Sequence, residues 1–167
     1  MTDAIRMMLF PAMMAFAAST DLLTMTISNR VSLILIGGFF VLAFASGMSG
    51  ADILWHVAAG CLVLVMAFGF FARGWIGGGD AKLAAATASW LGFGHLLPYL
   101  VVASLFGGVL TLALLQFRVV PLPDWLARQE WAERLHRMDG GVPYGIALAA
   151  AALVVYPDTP WMAMIGR

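Results

Sequence analysis

Two aspartates carry the chemistry this sequence offers. Asp21 stands in Ser19-Thr20-Asp21-Leu22-Leu23 and Asp80 in Gly77-Gly78-Gly79-Asp80-Ala81-Lys82, each at the edge of a long apolar run. A carboxylate held in or beside a membrane costs free energy unless something pairs with it or uses it, so such residues are candidates for function. Two carboxyl groups brought close cannot easily ionise together and instead share one proton. The ionised member can then draw a proton from a water that attacks a carbonyl carbon, while the protonated member hydrogen-bonds to the carbonyl oxygen as the tetrahedral intermediate forms. That chemistry hydrolyses an amide with neither a metal nor a nucleophilic side chain. Taken singly, each aspartate also suits a plainer role as a solvated helix terminus, and Asp80 suits the positive end of a helix dipole.

The elements that must position these groups follow from composition. At 62% hydrophobic and 11% charged over 167 residues, the chain has more apolar side chain than one core can hide, and the excess must face lipid. Apolar runs near residues 5–23, 31–46, 53–72, 83–97, 99–117 and 142–165 predict six membrane-spanning helices. The fourth has only about 15 residues, roughly 22 Å of helix. The sixth is interrupted by Pro157-Asp158-Thr159-Pro160. These runs are continuous and too long for the alternating strands of a β-barrel. The expected fold is an all-α membrane protein, a bundle of about six transmembrane helices forming one polytopic domain over residues 1–167. Gly37-Gly38 and Gly107-Gly108 fall inside spans, where they permit close helix packing.

Charge placement gives a topology. Arg30, then Arg73 and Lys82, then Arg118, Arg128, Arg134 and Arg137 all fall in alternate connections, seven of the nine positive residues, and the remaining two, Arg6 and Arg167, are terminal. By the positive-inside rule those connections face the cytoplasm and both termini face away from it. Asp21 and Asp80 then share one depth near the cytoplasmic face. In the connection 118–141, Ala127, Trp131, Leu135 and Met138 recur at helical spacing, opposite Glu130, Glu133, Arg134 and Arg137. This predicts a short amphipathic helix on the inner membrane surface. Trp55, Trp75 and Trp161 lie near span ends, as interface residues do.

Several classes are disfavoured. A formal charge of zero gives no basic field for nucleic acid. Cys61 is the only cysteine, so neither an intramolecular disulfide nor a multi-cysteine metal site can form. His56 and His95 fall near outer span ends and His136 in the inner connection, which leaves no common zinc site and no expected metal or cofactor. Residues 74–82 are glycine-rich but lack the Gly-Lys-Ser/Thr ending of a phosphate loop. The supporting candidates are Gly77, Gly78 and Gly79, which allow close backbone approach of an extended peptide, together with Lys82 and Asn29. Lys82 suits either an ammonium beside Asp80 or a positive-inside anchor; Asn29 and Arg30 suit ordering of the loop after Asp21 or capping of the second helix. A non-enzymatic transporter or assembly component, its acids binding protons or organising partner helices, is the alternative reading.

Gly77-Gly78-Gly79-Asp80 fits the GxGD motif, and Asp21 followed by Ile27-Ser28-Asn29 is similar to the other active-site region of the aspartic prepilin peptidases. The resemblance extends to the six-span plan, to Ala81-Lys82-Leu83, and to Val142-Pro143-Tyr144-Gly145 opening the last span. It implies an inner-membrane endopeptidase, with Asp21 and Asp80 as catalytic pair, that removes the basic leader of type IV prepilins or pseudopilins at the cytoplasmic face. The short length resembles the tight-adherence, or Flp, branch. Position 28 is serine where the family often has proline, and no insertion with paired cysteines separates the first two spans. The second departure implies peptidase activity without the amino-terminal methylation of longer relatives.

Overall fold

The computed structural model describes residues 2–163, of 2–4 and 6 the backbone alone. The Arg6 side chain, Arg167 and the far end of the sixth apolar run lie outside the described residues. The chain forms α1 (Thr2–Thr24), α2 (Asn29–Ala45), α3 (Gly50–Ala72), α4 (Gly78–Val119), α5 (Asp124–Ala127), α6 (Glu130–His136), α7 (Tyr144–Val155), a 3₁₀ turn (Tyr156–Asp158) and α8 (Pro160–Ala163). The described residues contain no strand, and the protein is an all-α membrane protein. Four stretches are long and apolar enough to cross a bilayer: Met7–Thr24, Gly50–Ala72, Gly78–Val119 and Tyr144–Ala163. Asn29–Ala45 is a shorter apolar helix of 17 residues.

The 42 residues of α4 would make a straight rod of about 63 Å, twice the roughly 30 Å hydrocarbon thickness. The rod is instead broken at Gly92, where φ is 62° and ψ is 179°. This corrects the expectation of a connection at Pro98, which lies inside the second half of α4. The backbone at Gly92 occupies a region essentially closed to side chains, so the glycine sets the break. Its two halves lie side by side, with Tyr99 of the second beside Thr87 of the first. Arg118, near the far end of α4, bonds the Gly141 carbonyl just before α7.

A broken helix leaves carbonyls without their i+4 donors. Here His56 Nδ1 donates to the Ser89 carbonyl at 2.8 Å, and Trp161 Nε1 donates to the Trp90 carbonyl at 2.7 Å. Trp161 is therefore fully buried rather than interfacial, while Trp55 and Trp75 are exposed. Phe10, Phe39, Trp90, Tyr156 and Trp161 pack into one aromatic cluster at this end, with the Phe10 and Tyr156 rings 4.4 Å apart. A Cβ at Gly92 would lie 2.9 Å from His56 Cε1 in addition to being conformationally strained. Gly92→Ala is expected to destabilise the fold by about 1–3 kcal/mol, measured as loss of folded protein in a detergent denaturation series.

The opposite end of the bundle holds the carboxylates. On α1, Phe10, Met14 and Ala17 are fully buried and Asp21 continues the same stripe, so helical periodicity alone points Asp21 inward. On α4, Ala84, Thr87 and Leu91 are buried and Asp80 begins their stripe. The connection after α4 departs from the single surface helix expected. It holds two short helices, α5 and α6, separated at Arg128-Gln129, and the buried positions are Ala132 and Leu135. Ala127, which ends α5, and Met138, past the end of α6, are exposed, because the helix breaks at Arg128-Gln129 and stops at His136, so that only the α6 part of the stripe docks on α1 and α4.

Candidate active site

Asp21 sits in the last turns of α1, 4% exposed. Beyond it the chain leaves the helix at Met25, whose φ of 54° places a long side chain in the left-handed conformation usual for helix ends but uncommon outside glycine and asparagine. The following residues bring Ile27 back toward the bundle. Ser28 caps α2 by accepting from the Arg30 N–H at 3.3 Å, so the cap expected of Asn29 is supplied by the serine before it.

The other face of the site is the start of α7. Gly145 N donates to Asp21 Oδ2 at 2.7 Å in a buried hydrogen bond, and the Ile146 N–H, which donates to the Pro143 carbonyl at 3.2 Å, also faces the Asp21 carboxylate. Free N–H groups at a helix N-terminus, with the dipole behind them, form a natural seat for a carboxylate. Asp80 lies in the first turn of α4, with its carboxyl set against the backbone N–H groups of Gly77 and Gly145 and within the field of Asp21. The reach back to Gly77 is the acid half of a capping box. The two carboxyl groups thus converge on Gly145, from α1 and from α4.

Glycines make this convergence possible. A Cβ on Gly145 would stand 2.7 Å from Asp21 Oδ2 and 2.5 Å from Ile27 Cδ1. A Cβ on Gly79 would stand 3.1 Å from Ile27 Cβ and 3.3 Å from its backbone N and O. Ile27 is therefore a pin between the starts of α4 and α7. Gly77 leaves room for the Asp80 carboxylate, 2.9 Å from where its Cβ would be, and Gly78 lies against the Phe71 ring. Tyr144 fixes α7 laterally. Its ring packs on Gly107, and its hydroxyl donates to Thr111 Oγ1 at 3.2 Å, the Thr111 proton being committed to the Gly107 carbonyl.

Lys82 and Asn29 pair with each other, Nζ to Oδ1, at 2.8 Å. Basic residues brace the same end: Arg134 donates to the Leu23 carbonyl at 2.6 Å, closing the end of α1, and Arg118 donates to the carbonyls of Leu135 and Gly141. Among the described residues no group of three or more His, Cys, Asp or Glu side chains could hold a metal ion. Sequence reasoning named Ile27, Tyr144 and Gly145 only as parts of motifs that carry the family resemblance and did not single them out as site residues. The signal available was the Pro-Tyr-Gly opening of α7, which combines a rigid helix entry, an aromatic wedge and a site without a side chain.

Fold and site together define a helical membrane protein with two carboxyl groups gathered at a helix N-terminus. Residues 8–112 match the type IV leader peptidase family, and the chain belongs to that family, a family of peptidases. The matched stretch includes both Asp21 and Asp80, whereas Gly145 lies beyond it. No curated protein and no solved structure matches the chain.

Proposed function

We propose that this protein is a membrane-embedded aspartic endopeptidase that cleaves the basic leader from type IV prepilins or pseudopilins of the Flp kind, at the cytoplasmic face of the bacterial inner membrane. The observation that carries this reading is the meeting of Asp21 and Asp80 at the Gly145 N–H, on the end of the bundle where Arg118 and Arg134 lie. In the reaction, the ionised carboxylate of the pair takes a proton from water, whose oxygen adds to the scissile carbonyl carbon. The protonated partner gives its hydrogen bond, then its proton, to the carbonyl oxygen. Collapse of the tetrahedral intermediate breaks the C–N bond: the departing nitrogen takes up the proton first drawn from water, and one of the two hydroxyls returns its proton to the partner carboxylate as the new carboxyl group forms. The basic groups at this end follow the positive-inside rule and set the site toward the cytoplasm, with both termini on the other side.

The test is mass spectrometry of a Flp-type prepilin incubated in membranes with and without this protein. The expected product lacks the leader and carries an unmethylated amino terminus, consistent with peptidase activity alone. An intact prepilin, accompanied by proton-coupled solute flux into vesicles containing the protein, would replace this reading with that of a transporter.

A further inference from the structure

Across α4 from the carboxylates lies a feature the hydrolysis does not use. Both α2 and α3 pack on α4 but barely on each other, and the crevice between them is a cavity of about 480 Å³. It runs from Asn29 and Lys82 at the carboxylate end to Phe40 and Ser89 at depth, a length along α2 of about 16 Å, or three helical turns. Its lining includes Ala85 and Ala86, small residues of the kind that let a further helix approach closely within a membrane, whereas Gly60 is already taken up by the contact of α3 with Ser89 of α4.

We infer that this groove receives the apolar helix of the peptide substrate, the segment that continues beyond the bond to be cut; the inference rests on the peptidase reading above. Two observations select a peptide over a lipid tail. Ser32 is among the lining residues, and its Oγ, buried just beneath the groove surface, has no hydrogen-bond partner among the described residues. A hydroxyl without a partner in apolar surroundings is costly, an acyl chain offers it nothing, and a peptide helix offers carbonyls and side chains that a turn of this short side chain about χ1 would reach. The groove also opens at Lys82, two residues from Asp80 and across the first turn of α4 from it. Gly77, exposed and without a side chain, leaves the path over that turn clear.

The native chain carries its own probe, because Cys61, its only cysteine, is exposed and lines the groove. In membranes, wild-type protein is incubated with prepilins bearing one cysteine at successive positions of the apolar segment, in the presence of a mild added thiol oxidant that takes up the two electrons of disulfide formation. Disulfide formation and leader removal are read from the same sample by mass spectrometry. Cross-links to Cys61 are expected to recur every three to four positions. Ser32→Leu, which fills the groove, is expected to raise KM about 10-fold. Leader removal with no cross-link at any position would discard the groove and leave the peptidase. Periodic cross-links without leader removal would keep the groove as a helix site and discard the peptidase. Labelling of Cys61 by a photoreactive phospholipid, undiminished by added prepilin, would make it a lipid site and overturn the inference.

Discussion

Asp21→Asn and Asp80→Asn are each expected to slow leader removal by about 10²- to 10⁴-fold, the range that positioned acid–base groups contribute. The double variant should be no slower than the worse single one, because partners that act as a unit do not contribute additively. Asparagine is the informative replacement. It matches the shape of the carboxylate, and at position 21 its side-chain oxygen can still accept the 2.7 Å bond from Gly145 N, so the helices stay together while the shared proton is lost. Initial rates of prepilin cleavage at matched membrane levels measure the effect, and unchanged rates in both variants would remove the dyad.

Gly145→Ala is expected to cost about 100-fold in kcat, with KM little changed. The added Cβ must displace either Ile27 Cδ1, the movable end of a flexible side chain, or Asp21 Oδ2, which the Gly145 N–H holds in place. Relaxation therefore falls partly on the carboxylate, and a misplacement of roughly 1 Å suffices for a loss of this order. Gly37→Ala is the matched control. Nothing lies within 4 Å of the position its Cβ would take, so its stability should remain within about 0.5 kcal/mol of wild type. Equal rates for Gly145→Ala and the parent would show that the α7 terminus does not position the pair.

Much of this arrangement is legible in the residues. The apolar runs give the helices because lipid imposes a length and excludes unpaired backbone. Phe10, Met14, Ala17 and Asp21 fall on one helical face, which is enough to turn Asp21 inward. Pro98 misled as a boundary because proline is the commoner helix breaker, whereas Gly92 breaks α4 through a backbone conformation that its neighbours do not announce. Trp161 reads as an interface residue until Gly92 frees the Trp90 carbonyl it serves. The stripe through Ala127, Trp131, Leu135 and Met138 failed at its two ends, because α6 spans only Glu130–His136; Leu135, inside it, is buried. The role of Gly145 is the least readable, since nothing local ties a glycine at the start of one helix to an aspartate 124 residues earlier.

That separation sets an order on biosynthesis. Asp21 is made and inserted with the first helix, yet the amide that seats it arrives only when translation reaches the last long span. Until then a ribosome-bound chain holds Asp21 without that donor, even after α4 has delivered Asp80. Completion of the site is thus coupled to completion of the bundle: the two carboxyl groups and the amide that seats Asp21 come together only once the start of α7 has been made.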